Sequence, residues 1–369
     1  MKKLMLVFGT RPEAIKMCPL AIELGGTGDL EVTVVVSAQH RDMLDGVLDC
    51  FGVVPDIDLD IMKEGQTPSD VCSRVLEKMD NVLVQERPDA VLVHGDTATA
   101  FASSLAAFHR RIPVYHVEAG LRSGNMQSPF PEEFYRRSIS LMADIHFAPT
   151  DCARENLIRE GVEAKRVFVT GNTVTDALRY TVDSEFEHPL IDLAKGKKII
   201  LLTAHRRENQ GRKMAHMLAA IGRVISARDD VFVIYPIHKS PAVRDVAHAM
   251  LDDVSGITLC EPLGVVDMHN ILARSYLVLT DSGGLQEEAC ALGIPALVMR
   301  DTTERPEGIE SGGIMLVGTD GEKIARSLAR LLNDADCYEC MKNAPNPYGD
   351  GHASLKITDI ISKISTVHR

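Results

Sequence analysis

No stretch of this sequence approaches the roughly 20 consecutive apolar residues that a membrane-spanning helix needs, which excludes a helical membrane protein. The amino terminus, Met1-Lys2-Lys3, carries the charge of a secretion signal, but its apolar run from Leu4 to Phe8 stops at Gly9-Thr10-Arg11-Pro12, too short for one. A cytoplasmic location is expected. Basic charge is also scarce. With 52 acidic and 40 basic side chains the net charge is −12, which argues against sequence-independent binding to nucleic acid and requires any anionic substrate to be gripped locally. The 8 cysteines are scattered, and without an export signal they are expected as free thiols. Cys337 and Cys340 have C-x-x-C spacing, but no second pair or histidine cluster completes a zinc site, and a surface helix accounts for them. Internal repeats and low-complexity tracts are absent as well.

What is present is a soluble composition, 45% hydrophobic and 25% charged, spread over 369 residues, a length that suits two domains better than one core. Short apolar runs alternate with helical patterns. Strands are expected at Leu4 to Phe8, Val32 to Ser37, Ala90 to Val93, Val114 to Val117, Ile145 to Ala148 and Val167 to Thr170. In the second half they are expected at Ile199 to Thr203, Val231 to Tyr235, Ile257 to Cys260, Leu277 to Thr280, Ala296 to Val298 and Ile314 to Val317. Nearly continuous apolar character is what strands covered by helices on both faces require, and the βα rhythm implies two doubly wound parallel sheets of Rossmann-like α/β type. Gly171-Asn172-Thr173 follows a strand, and the polar stretch Asp183 to Lys198 contains Pro189 and lacks a strong period. The boundary is placed near residue 175, giving domains 1–175 and 176–352. After the turn formers Pro345 to Gly351, Leu355, Ile357, Ile360, Ile361 and Ile364 have helical spacing, and that apolar face needs a partner.

Ligands of open parallel sheets bind at the carboxyl ends of the strands, so the residues just after each apolar run are the informative ones. Gly9-Thr10-Arg11-Pro12 suits a tight turn into a helix whose free amides, with Arg11 and Lys16, face an anion, although a capped helix with solvated basic side chains explains the same residues. After the next strands stand His94-Gly95-Asp96 and His116-Val117-Glu118-Ala119-Gly120. Asp96 by itself reads equally as a helix cap. Glu118, between an apolar strand and a small-residue turn, is poorly placed for solvent, and burial of that kind suits a carboxyl to acid and base work. Glu132 follows Pro129-Phe130-Pro131 and is either a third candidate or an acidic helix start. In the second half His205 stands at a strand end, where a lone histidine reads as a satisfied core residue, but Arg206 and Arg207 after it favour a phosphate or proton-transfer site. Thr280-Asp281-Ser282-Gly283-Gly284 leads from strand to helix with the glycine pair that lets a diphosphate approach the helix amino terminus, and Glu288 lies one turn on, within reach of ribose hydroxyls. It is not G-x-G-x-x-G, so a nicotinamide cofactor gains little support.

Taken together, these segments closely resemble the UDP-N-acetylglucosamine 2-epimerase family in its bacterial non-hydrolysing branch. The resemblance runs nearly the whole length: F-G-T-R-P-E-A-I-K at 8–16, H-G-D at 94–96, H-V-E-A-G-L-R at 116–122, P-F-P-E-E at 129–133, T-A-H-R-R-E-N at 203–209, T-D-S-G-G-L-Q-E-E at 280–288, R-D-T-T-E-R-P-E at 300–307 and N-P-Y-G-D-G at 346–351. It implies a glycosyltransferase-B-like fold with the reaction cleft between the two halves and a carboxy-terminal helix, about 353–369, returning to the first domain. The implied reaction interconverts UDP-N-acetylglucosamine and UDP-N-acetylmannosamine, by elimination of UDP to a 2-acetamidoglucal and re-addition, without metal or redox cofactor. By position, Asp96, Glu118 and Glu132 become the acid/base carboxylates, with His205 near the departing UDP and Arg11 and Lys16 beside the diphosphate. Ser282, Gly283 and Gly284 become diphosphate contacts, Glu288 the ribose contact, Arg305 a further nucleotide-side residue and Met268 the neighbour of the uracil, where the family has an aromatic.

The resemblance also implies a homodimer, and a second UDP-N-acetylglucosamine bound as activator through Gln39 and His40, although Asp42 and Gly65 depart from that pattern. A hydrolysing epimerase releasing N-acetylmannosamine and UDP is the nearest alternative. A glycosyltransferase of the same fold would need an acceptor site that no motif identifies, and a non-catalytic nucleotide-sugar sensor would have no use for three carboxylates at strand ends.

Overall fold

The computed structural model describes residues 1–38, 41–63 and 65–364, except the side chains at 41–43 and 207. Gln39 and His40 lie outside the described residues, as does the side chain of Asp42. The chain forms two compact units, Met1–Tyr180 together with the described residues from Tyr348 onward, and Thr181–Pro347.

The first unit is built on strands β1 (Lys2–Phe8), β2 (Leu30–Val36), β3 (Ile57–Asp58), β4 (Ala90–His94), β5 (Val114–Val117), β6 (Ile145–Ala148) and β7 (Val167–Val169). They pair in parallel in the order β3-β2-β1-β4-β5-β6-β7, so the chain runs outward from β1 to one edge, then restarts at β4 and runs to the other. The switch between β1 and β4 is where such sheets open for ligands at the strand carboxyl ends. Leu4 to Phe8 are fully buried, which is why the strand carries no polar alternation. On one face Met5, Val7, Val91 and Val93 pack with Val71, Val75 and Met79 of the helix Pro68–Glu86 and with Ala100, Ala102 and Ala106 of the helix Ala98–His109. Small alanines let the second helix lie close to the sheet.

The second unit uses β8 (Lys198–Thr203), β9 (Val231–Pro236), β10 (Ile257–Cys260), β11 (Leu277–Thr280), β12 (Ala296–Val298) and β13 (Ile314–Leu316), all parallel, in the order β10-β9-β8-β11-β12-β13. Its switch point lies between β8 and β11. The helix Arg212–Ser226 buries Met214, Met217, Leu218, Ile221 and Ile225, a spacing of three and four residues that lays one stripe on Ile200, Leu202, Val233 and Leu279. The expected strands all form within two residues of their expected limits, and the two doubly wound parallel sheets are as the apolar runs imply. The stretch expected to be a linker contains a short helix, Pro189–Leu193. The pair β3 was not expected, because two residues beside Pro55 and Asp56 form no apolar run.

The helix Ala353–Lys363 belongs to the first unit and packs on the helix Arg11–Gly25. Its own first residues give it no side-chain cap; instead both oxygens of Asp176 accept its leading amides, Ala353 N at 3.1 Å and Ser354 N at 2.7 Å. At the other end Lys2 Nζ donates to the carbonyls of Ile361 at 3.4 Å and Ile364 at 3.3 Å. Both ends of the helix macrodipole thus meet opposite charge.

Candidate active site

In the first unit the turns after β1, β4, β5 and β7 bring together residues far apart in sequence. Thr10 caps the helix Arg11–Gly25 and forms a capping box with Glu13, whose Oε2 accepts from Gly9 N at 3.0 Å, Thr10 N at 2.9 Å and Thr10 Oγ1 at 2.8 Å. Its Oε1 accepts from Thr97 Oγ1 at 2.7 Å, which ties the turn after β1 to the turn after β4. Burial raises the Glu13 carboxyl to about 7 even though those donors favour its charged form. One helical turn on, the buried Lys16 makes an ion pair with Oε2 of Glu118. Glu118 directly follows β5 in a left-handed conformation, φ +60°, a position non-glycine residues occupy at a cost of about 1–3 kcal/mol and which clusters at functional sites. The same Oε2 accepts from Asn172 Nδ2 at 2.7 Å and lies 3.7 Å from His94 Nε2.

Asp96 stands at the end of the neighbouring strand but does not cap the helix that follows; Thr97 does, accepting from Ala100 N at 3.0 Å. Asp96 is instead paired with Arg136, whose Nε donates to it at 3.0 Å and which also reaches the fully buried Glu133 at 3.1 Å. Glu132 opens the helix Glu132–Met142, and its Oε2 is buried with no hydrogen-bond partner among the described residues. An orphaned carboxylate oxygen is costly unless something outside the chain pairs with it. Beneath these groups His116 is fully buried and held neutral, its value lowered to about 3 by burial, so its Nε2–H donates to the Gly95 carbonyl at 2.7 Å.

In the second unit the turns after β8 and β11 are joined by Asp281. Its carboxylate accepts from His205 N at 2.9 Å, Arg206 N at 2.8 Å and Asn209 Nδ2 at 3.2 Å, fixing the backbone that presents His205. Burial lowers the His205 value, partly offset by Asp281, and its ring lies 5.6 Å from that of His238. Ser282 begins the helix Gly283–Ala291 without a side-chain cap. A Cβ at Gly283 would meet Arg305 Nη1 at 2.6 Å, so a larger residue there would displace that guanidinium. The Arg305 guanidinium is in turn held by Glu287 at 2.7 Å and Glu304 at 2.6 Å. Burial would raise Glu304, but Arg305, Arg300 and Arg206 overcome it and bring it to about 2. Glu288 Oε2 lies 3.6 Å from His269 Nε2, and Met268, half-buried, precedes that histidine on the helix Val265–Ala273.

These motifs belong to a known group of proteins. The family model described as UDP-N-acetylglucosamine 2-epimerase matches residues 22–362. The UDP-N-acetylglucosamine 2-epimerase of Bacillus subtilis (strain 168) is 54% identical over 357 residues, covering 97% of this chain and 94% of that one. The chain belongs to the UDP-N-acetylglucosamine 2-epimerase family. A solved structure of UDP-N-acetylglucosamine 2-epimerase from Neisseria meningitidis, bound to UDP-GlcNAc, superposes with a TM-score of 0.93 at 41% identity, covering 98% of this chain and 100% of that one. The S. aureus MnaA–UDP co-structure gives a TM-score of 0.93 at 47% identity, covering 98% and 96%.

Within this 2-epimerase fold the first unit gathers Lys16 and Glu118 directly, places Asp96 and Glu132 at neighbouring turns, and puts Arg11 at the start of the helix that carries Lys16. The second unit gathers His205, Ser282, Gly283 and Arg305 at its switch point, with Glu288 further along the same helix. Sequence reasoning missed Glu13, Asn172, Arg136 and His269 as members. The capping-box spacing Thr10-x-x-Glu13 was a usable signal for the first. Asn172 read only as turn former.

Proposed function

We propose that this protein interconverts UDP-N-acetylglucosamine and UDP-N-acetylmannosamine without net hydrolysis. The proton at sugar C2 passes to a carboxylate of the first unit, its bonding pair forms the C1–C2 double bond, and the C1–O pair leaves with UDP. Re-addition of UDP at C1 with protonation of the opposite face of C2 gives the epimer. The observation that carries this reading is Glu118, strained at φ +60° and charge-paired to Lys16 at a strand carboxyl end, in a chain of this family. Asp96, Glu118 and Glu132 are the acid/base candidates, and the orphaned Oε2 of Glu132 suits a substrate hydroxyl or the C2 region. Arg11, Lys16 and His205 attend the diphosphate; His205, kept neutral by burial, offers it a hydrogen bond rather than a fixed charge. Ser282, Gly283 and Gly284 offer backbone amides to the diphosphate, Glu288 binds the ribose, Arg305 supports that turn and Met268 contacts the base without stacking. That solved structures of relatives hold UDP and UDP-GlcNAc supports a UDP-sugar ligand. Incubation with UDP-N-acetylglucosamine in deuterated water is expected to give both epimers with deuterium at C2. Free N-acetylmannosamine as main product, or unlabelled epimers, would overturn the reading.

A further inference from the structure

The turn Gly171-Asn172-Thr173 read from sequence as punctuation, yet its asparagine is nearly fully buried and is hydrogen-bonded on every side. Its Oδ1 accepts from Val174 N at 3.1 Å, capping the helix Thr173–Thr181. That acceptor role fixes the amide orientation, because the reverse would set two donors face to face and an oxygen against a carboxylate. Nδ2 therefore points at Glu118 Oε2, 2.7 Å away. The Asn172 backbone N–H donates to the carbonyl of Tyr348 at 2.7 Å. This contact needs two glycines back to back: Gly171 has φ +89° and Gly349 φ +111°, and a Cβ on Gly349 would lie 3.0 Å from Gly171 Cα. One residue thus joins the carboxylate at the end of β5 to the segment by which the chain re-enters the first unit.

We propose that Asn172 is a positioning residue for the epimerisation, holding Glu118 Oε2 in register with Lys16 and making that register depend on the docking of Tyr348–Gly349. The proposal rests on the function proposed above. Glu118 sits on strained backbone at a strand end, so its orientation is set by the donors on its oxygen rather than by the strand. Lys16 supplies charge through four flexible methylenes, whereas the Asn172 amide is clamped by its own cap and fixes direction. It also favours the anion without adding a titrating group.

Asn172→Asp separates this role from a structural one. Aspartate caps a helix as well as asparagine, so the Val174 amide stays satisfied, but the donor to Glu118 becomes a second carboxylate and raises the proton affinity of the pair. Expected for Asn172→Asp are a UDP dissociation constant close to wild type, a melting temperature close to wild type at acid pH, where the new pair keeps its proton, and falling as pH rises, kcat lower by at least about tenfold, and the acid limb of the kcat–pH profile moved to higher pH. Asn172→Ala, which loses cap and donor together, is expected to lose thermal stability as well as kcat. Wild-type kcat and an unshifted profile in Asn172→Asp would overturn the proposal, as would a loss confined to stability and UDP affinity. Wild-type enzyme assayed alongside keeps the two readings apart: if it fails to label C2 the function is wrong, and if it labels C2 while Asn172→Asp matches it only the role of Asn172 is wrong.

Discussion

At Glu13 burial and chemistry conflict. A carboxyl with 2% exposure accepts four hydrogen bonds and still titrates at about 7, because the donors offset only part of the desolvation of its charge. An acid whose folded value lies above its unfolded one favours the fold while protonated. The contribution is complete below about pH 4.5 and is lost as pH rises through about 7. Its size is at most about 3 kcal/mol. Glu13→Gln keeps an acceptor for the Gly9 and Thr10 amides and cannot ionise, so relative to wild type it is expected to gain stability between pH 5 and pH 8. Urea unfolding at both values checks this, and a constant difference would show that Glu13 is ionised throughout. Glu13 was within reach of sequence reasoning, because a capping box is a local pattern. Its hydrogen bond to Thr97, 84 positions away, was not.

At the scale of elements, the apolar runs made the strands legible because a strand covered on both faces has no polar side to show. The two-residue β3 escaped for the converse reason. The return of the chain to the first unit rests on Gly171 and Gly349, and on Asp176 and Lys2 at the two ends of the last helix. Gly349→Ala combines an unfavourable φ of +111° with a Cβ 3.0 Å from Gly171 Cα, and is expected to cost about 1–3 kcal/mol. Gly124→Ala is the control: its φ is +72° with nothing within 4 Å of the added carbon, so the smaller loss it shows measures conformation alone. Equal denaturation midpoints for the two variants would mean that the contact between the glycines contributes nothing.

For the molecule as a whole, two buried histidines contribute to the loss of stability on mild acidification. His116 and His146 pair across β5 and β6, and burial lowers both to about 3. A base depressed in the folded state stabilises the fold above its unfolded value of about 6.5, and that stability is lost as pH falls toward 3, by at most about 5 kcal/mol for each. Glu13 acts in the opposite direction between pH 7 and 4.5, but one carboxyl opposes two imidazoles, so net stability is expected to fall on acidification. The drop in unfolding free energy from pH 6.5 to pH 5 is expected to be smaller in His146→Phe than in wild type, and an equal drop would locate the acid sensitivity elsewhere. The order of apolar runs and turn residues sufficed for the α/β class, for the parallel sheets and, through the motifs after each strand, for the family. Those signals are local, since a strand announces its burial within its own few residues. Pairings such as Lys16 with Glu118, Asp96 with Arg136 and Asn172 with Glu118 span 102, 40 and 54 positions. Only the sheet order, which sets β1 beside β4 and folds the strand ends into one neighbourhood, decides that those side chains meet, and no residue's immediate neighbours carry that information.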